Sequence, residues 1–149
     1  MSTDYIVASL PTLEFSQPAP ISWERFCELC GGEIELPDEW IDLETQLRNA
    51  MAYARGNGEK FARPAVGCQL YWQNRITAAF AENDPLKREE LLDKVWWDAA
   101  GELTPCASPL GKGALATYAI RLKTAIKRTK ISMEKGNEAF DRLTAETKR

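Results

Sequence analysis

The sequence predicts an all-α protein: an irregular helical bundle of about five helices, with a long C-terminal helix and a short extended N-terminal segment. Apolar residues recur at helical spacing through most of the chain, capping residues stand before several of these stretches, and glycine or proline separates them. The chain has 149 residues, of which 44% are hydrophobic. This is enough apolar material for one unaided core, so we predict a single helical domain over residues 1–149.

The N-terminal stretch 5–10 is rich in β-branched and aromatic side chains and is stopped by Pro11. This composition is typical of a short extended segment or strand. The prolines that follow predict an irregular connector that lies across helices. Ser22 is placed to cap a short helix over 23–30, which a pair of glycines then ends.

The middle of the chain predicts three helices. The first follows Pro37 and presents one apolar face, whereas the stretch 67–81 has apolar side chains on more than one face, which indicates a central and largely buried helix. Asp84 and Pro85 supply a cap and a first-turn proline for a third helix that ends near residue 99. The inward residues are Trp40, Leu43, Leu47, Met51 and Ala54 on the first helix, Trp72 on the second, and Leu92, Val95, Trp96 and Ala99 on the third.

The last helix is predicted to span residues 109–146, opened by Ser108 and Pro109. Its apolar residues fall within a band about 80° wide, and the band stays in phase across Gly136. We therefore predict one long helix, bent at that glycine, instead of two. The band consists of Leu115, Tyr118, Leu122, Ile126, Met133 and Phe140.

Composition excludes several function classes. The chain contains no histidine, which removes Ser-His-Asp and Cys-His nucleophile pairs, imidazole bases and histidine-containing metal sites. The net charge of −3 gives no reason to expect nucleic acid or an anionic membrane as partner. The N-terminus lacks a basic region followed by a long apolar stretch, so we expect a cytoplasmic protein with reduced cysteines.

The charges are unevenly distributed along the chain. Residues 1–60 carry eleven acidic and four basic side chains, whereas residues 61–149 carry fifteen basic and eleven acidic ones. This predicts a molecule with an acidic and a basic end. The acidic residues near the first of the middle helices form either a solvated face or a docking surface for a basic partner. They are Glu33, Glu35, Asp38, Glu39, Asp42 and Glu44.

The stretch 112–130 of the last helix holds six basic residues and no acidic one. The basic residues flank the apolar band on both sides, which is typical of long side chains that cover their own core. The alternative is a binding surface for an acidic partner, to which Trp97 adds an exposed face, because it lies about 100° from inward-facing Trp96. The candidate partner-binding residues are Arg121, Lys123, Lys127, Arg128, Lys130 and Trp97, with Lys112 as the sixth basic residue of the stretch.

Cys27 and Cys30 form a CxxC pair at the C-terminal end of the helix over 23–30. The helix dipole disfavours a thiolate there, so we interpret the pair as structural thiols. A zinc site would have to add Cys68 and Cys106, which do not supply a second CxxC. We predict no catalytic residue, no metal ligand and no cofactor.

Two groups of motifs occur together. Tyr5-Ile6-Val7-Ala8-Ser9-Leu10-Pro11 with Ile21-Ser22-Trp23-Glu24-Arg25-Phe26 is similar to the pattern Y-L-V-A-S-L-P … P-I-S-x-E-x-F. The second half is similar to D-P-L … L-L-D-x-x-R-W-D … A-Y-x-L-K-L … E-x-G-x-x-x-F-x-x-L, with Trp96 in place of the arginine. Both resemble an uncharacterised bacterial family whose genes lie among those of V-type ATP synthase subunits.

The resemblance implies an accessory or stalk-like component of a bacterial V-type rotary ATPase, which binds other ATPase subunits and acts mechanically. It supplies no catalytic residues. Two alternatives remain open from the residues alone. One is a small cytosolic enzyme that uses carboxylates with a metal or cysteine. The other is a helical nucleic-acid-binding regulator, which would need the basic residues of 121–130 on one exposed face.

Overall fold

The structure, a computed structural model, describes residues 2–32, 34–56, 69–104 and 110–147, with side chains described as far as residue 134. These residues form six α-helices and no strand, so the predicted all-α bundle with a long C-terminal helix is confirmed. No helix in these ranges combines the length and apolar character needed to cross a membrane. The helices are α1 (Thr3–Ser9), α2 (Trp23–Cys30), α3 (Asp38–Ala54), α4 (Leu70–Phe80), α5 (Pro85–Ala100), which continues into a 3₁₀ turn (Gly101–Leu103), and α6 (Lys112–Thr147).

The predicted extended segment at 5–10 is wrong, because these residues lie in and directly after α1. Ser2 caps this helix by accepting a hydrogen bond from the Tyr5 backbone amide at 3.4 Å, and Asp4 lies in its first turn. Capping and the favourable dipole interaction outweigh the β propensity of the side chains. The irregular connector predicted after Pro11 is confirmed, and it extends from Leu10 to Ser22.

Capping residues predict the beginnings of α2 and α5 correctly. The Ser22 hydroxyl accepts from the Arg25 amide at 3.1 Å, and the Asp84 carboxylate accepts from the Leu86 amide at 3.0 Å. Gly31 ends α2 in the left-handed region with φ of +78°, as a C-terminal glycine allows. The predicted bounds of α2, α3 and α5 agree with the structure to within about one residue.

The long last helix is confirmed as a single element that continues through Gly136. It begins at Lys112, three residues later than predicted, and the proposed cap at Ser108 and Pro109 lies outside the described residues. By contrast, α4 is not the largely buried helix that we predicted. It buries Trp72 on one face and leaves the side chains of Leu70 and Tyr71 more than 60% exposed.

Helix α6 separates two apolar clusters. The first lies between α3, α4, α5 and one face of α6, and α6 contributes Ala116 and Ile120 to it. The second lies on the opposite side of α6, where α2 and the irregular N-terminal stretch pack around the fully buried Phe26. The predicted apolar band of α6 therefore faces the N-terminal segment, and Met133 at its far end is 64% exposed.

Candidate functional site

The predicted basic surface on α6 begins with Arg121, which is bound within the chain. Its Nε donates to the Trp97 carbonyl at 3.0 Å, and its guanidinium lies 5.2 Å from the centre of the Trp97 ring. Burial lowers the pKa of Arg121 from its ordinary value, and the charge of Asp98 opposes this effect. Trp97 itself is only 5% exposed, so the prediction that it shows a face to a partner is wrong. Phe15 and α6 cover the ring from outside α5.

Lys127 and Arg128 converge on Asp93, a carboxylate of α5 that is only 6% exposed. Lys127 Nζ lies 2.8 Å and Arg128 Nη1 3.2 Å from its two oxygens, and Lys127 also contacts Glu89 at 2.6 Å. Burial alone would lower the pKa of Lys127, but its hydrogen bonds to Asp93 and Glu89 outweigh burial and raise the pKa. Helix α5 thus packs between the two basic sides of α6. Its Asp93 forms an ion pair with Lys127 from one side and with Arg128 from the other.

Three of the predicted partner-binding residues, Lys123, Lys127 and Lys130, lie at exposed positions. Lys123 lies with its Nζ 4.6 Å from the centre of the Trp23 ring, and Lys130 lies one helical turn past Ile126 on an exposed position. Five of the six are engaged in contacts within the chain: Arg121, Lys123, Lys127, Arg128 and Trp97. Long basic side chains here cover the protein's own aromatic rings and carboxylates, as the first of the two sequence interpretations proposed.

A groove of about 1160 Å³ lies between α1, residues 34–37, the start of α3 and the start of α6. Its walls are apolar, with Leu36, Ile41 and Leu115 among the lining residues. Its margin carries carboxylates at the N-terminal end of α3, where they complement the helix dipole. We call this groove with its three exposed carboxylates, Glu35, Asp38 and Glu39, the acidic groove.

A second, smaller pocket of about 260 Å³ adjoins the acidic groove and shares Glu39 and Leu103 with it. Asp42 and Glu102 add two further carboxylates there. The negative charge therefore extends from the mouth of the groove across the first two turns of α3.

The carboxylates of the acidic groove are not among the ion-paired acidic residues that the structure describes in the bundle. Within the described part of the chain, Glu35, Asp38 and Glu39 form no ion pair, whereas Glu44, one turn further along α3, pairs with Arg48 at 2.7 Å. The apolar Ile41 beside them is 54% exposed. An exposed apolar surface with an uncompensated charged margin is typical of a protein interaction site.

Sequence analysis identified the acidic residues of this site but not its apolar floor. Ile41 follows Trp40 directly and lies off the core-facing set of α3, a signal that could have marked it as an exposed apolar residue. Lys112 lines the same groove, although the sequence grouped it with the basic stretch of α6. Glu33, the first residue of the predicted acidic face, lies outside the described residues.

Cys27 and Cys30 both lie partly exposed on α2 as reduced thiols. Burial raises the pKa of Cys30, and the neighbouring Cys27 raises it further. A raised pKa disfavours the reactive thiolate, which agrees with structural thiols. In the ranges that the structure covers, no three acidic or cysteine side chains cluster as metal ligands, and Cys68 and Cys106 lie outside those ranges.

Comparison of the chain with known protein families, with curated proteins and with solved structures returned no match.

Proposed function

We propose that the protein is a helical interaction protein that binds a basic surface of a protein partner in the acidic groove. The observation that carries this proposal is the contrast between the two charged regions of the molecule. The cations of α6 are largely engaged by Asp93, Glu89 and aromatic rings. The groove instead combines exposed apolar side chains with carboxylates that form no ion pair among the described residues.

Each part of the groove supplies a different component of binding. The exposed Ile41 and the neighbouring Leu36 offer apolar area, which provides most of the affinity. The carboxylates at the margin attract a basic partner and orient it during association, and this contribution weakens as salt is added.

The resemblance to the family encoded among V-type ATP synthase genes supplies the identity of the proposed partner. On that basis the protein is an accessory or stalk-like component of a bacterial V-type ATPase, peripheral to the membrane and bound through protein contacts. A rigid bundle with one open binding groove suits such a mechanical role. This step depends on the sequence motifs alone.

The experiment is affinity purification from native membranes with the tagged full chain as bait. A groove variant, Asp38→Asn with Glu39→Gln, is compared with Glu14→Gln with Glu90→Gln, which makes the same charge change at exposed positions elsewhere. We expect the wild type and the control to recover ATPase subunits at low salt, and the groove variant to recover at most about a tenth as much. Equal recovery by the groove variant would exclude the groove, and recovery of no ATPase subunit by any bait would exclude the proposed partner.

A further inference from the structure

The irregular stretch of residues 10–21, which we call the N-terminal arm, is bound along α6 in the manner of a separate peptide. The Tyr118 hydroxyl donates to the Pro11 carbonyl at 2.7 Å, and the Thr129 hydroxyl accepts from the Ala19 amide at 3.0 Å. These contacts lie three helical turns apart on α6. Both come from side chains of α6, so the helix itself fixes the direction and register of the arm.

The centre of the arm is held by an aromatic anchor. The Phe15 ring meets the Trp97 ring edge to face at 5.6 Å between centres, and its faces are approached by Arg128 at 4.5 Å and Lys94 at 5.2 Å. An indole ring with two cations forms a socket that favours an aromatic side chain. α5 and α6 build this socket, and the arm only fills it.

The arm and α2 contribute nothing to the apolar cluster of the main bundle, although Phe15 of the arm contacts Trp97 and Lys94 of α5. Phe26 of α2 packs with Leu122 and Ala119 of α6 in a cluster of its own, and the cluster of α3, α4 and α5 contains no residue from the arm or α2. The principal helix contacts of both α1 and α2 are with α6. The same contacts would therefore be satisfied if the α5 and α6 that they cover belonged to another molecule.

Two glycines follow α2 where the arm and α2 connect to the bundle. Gly31 has φ of +78° and Gly32 has φ of +143°, conformations that L-residues adopt only with strain. A Cβ added at either position would meet no atom within 4 Å. Alanine at these positions would consequently strain the closed turn through its backbone angles alone, and that strain would disappear if the turn opened to an extended conformation.

From these observations we propose that residues 2–32 exchange between two copies of the chain, with each arm bound on the α6 of the other copy. The interaction surface is the face of α6 opposite the main bundle together with the Phe15 socket. The partner is a second copy of this chain, because the arm already shows the segment that fits. Exchange of an identical element through an opened hinge is a low-cost route to a dimer. The proposal does not rest on a V-type ATPase partner, although the exchanged segment carries α1, which contributes Thr3 to the wall of the acidic groove.

The first test measures the molar mass of the full chain by light scattering over a range of concentrations. In its own molecule the arm has an effective concentration near the millimolar range, so we expect a wild-type dimer that becomes detectable only as that range is approached. The variant Gly31→Ala with Gly32→Ala should lower the dimer dissociation constant at least about a hundredfold, since four strained residues are relieved per dimer.

Gly56 provides a matched control. It also has a left-handed φ, of +80°, and a Cβ there would also meet nothing within 4 Å, but it lies beyond the end of α3. Gly56→Ala should therefore strain its own turn without promoting a dimer. A folded hinge variant that stays monomeric, or a Gly56→Ala variant that dimerises equally, would overturn the proposal.

A second test does not depend on the folding of the hinge variant. A labelled synthetic peptide of residues 2–32 is titrated into the full-length Phe15→Ala chain, whose own arm is weakened at its anchor. We expect saturable binding, with at least tenfold weaker binding of the same peptide carrying Phe15→Ala. Peptide binding should also dissociate the dimer of the hinge variant. Absence of binding, or a dimer that persists in excess peptide, would contradict arm exchange.

Discussion

Asp93 offers the most direct test of how the charges of α6 are balanced. The change Asp93→Asn keeps the size of the side chain but removes the charge that receives Lys127 and Arg128. The carboxylate side chain is 9% exposed, whereas the side chains of Lys127 and Arg128 are 48% and 28% exposed. Breaking a fully buried ion pair costs about 3–5 kcal/mol. Since water still reaches both cations, we expect a loss of about 2–3 kcal/mol in the free energy of unfolding.

Glu89→Gln is the matched control, because it removes another carboxylate that contacts the same Lys127 nitrogen, at 2.6 Å. Both side chains of that pair are nearly half exposed, so the expected loss is about 0–1 kcal/mol. The assay is urea unfolding followed by circular dichroism, supported by thermal unfolding. For a chain of this size the Asp93 variant should melt about 5–10 °C lower than the wild type. An Asp93→Asn variant no less stable than Glu89→Gln would refute the view that Asp93 is the buried centre of charge compensation.

Three further predictions concern packing and hydrogen bonds around α6. Replacing a helical glycine by alanine usually raises the free energy of unfolding by about 0.5–1 kcal/mol. In Gly101→Ala the new Cβ would lie 2.7 Å from the Arg121 guanidinium, so urea unfolding should show no gain in the wild-type background and the full gain in an Arg121→Ala background. Burial raises the pKa of Tyr118 to about 12. Its neutral form is therefore favoured by the fold, and stability should fall as pH rises from about 10 to 12, less steeply in Tyr118→Phe, when unfolding is measured across that range. Phe26 is fully buried, so Phe26→Ala should cost about 3–5 kcal/mol in the same urea assay, and a loss below 1 kcal/mol would contradict a well-packed second cluster.

The helix boundaries could be predicted where capping was local. Ser22 and Asp84 each bond to an amide two or three residues away, so the signal is contained in a few neighbouring positions. The same signal is present at Ser2, although the β-branched residues that follow it favour an extended segment. The cap and the acidic first turn favour α1, and its packing on α6 with Ile6 buried supports a helix of only seven residues.

The burial of Trp97 could not be predicted from the helical pattern of α5. A helical wheel identifies one face that meets the main core, and Trp97 lies about 100° away from Trp96. The ring is buried because Phe15, from a stretch with no periodic pattern, packs against it, and because Arg121 covers it. A residue that is buried by an irregular segment therefore cannot be identified from the periodicity of its own helix.

Helix α4 shows the opposite case, in which residues predicted to be buried are exposed. Its apolar residues on several faces predicted a central helix, yet Leu70 and Tyr71 are exposed. Periodicity records which residues could be buried, whereas the surrounding elements decide which of them are. The acidic site was partly predictable, since its carboxylates lie within ten residues of one another in sequence. Its apolar floor was not, because residues from α1, α3 and α6 must come together to form it.

The basic residues of α6 and the carboxylates of the acidic groove differ in how readily they can bind a partner. A cation that already contacts a buried carboxylate must lose that contact before it can bind a partner with its full charge, and the loss offsets the gain. Lys127 and Arg128 are in this position at Asp93. The carboxylates of the acidic groove have no such contact to break among the described residues, so their field acts on an approaching basic surface over about one Debye length, roughly 8 Å at physiological salt. When salt is raised, the association rate constant for a partner at the groove should fall by a larger factor than the dissociation rate constant rises. Arm exchange depends on apolar packing around Phe26, so its equilibrium should depend on salt only weakly.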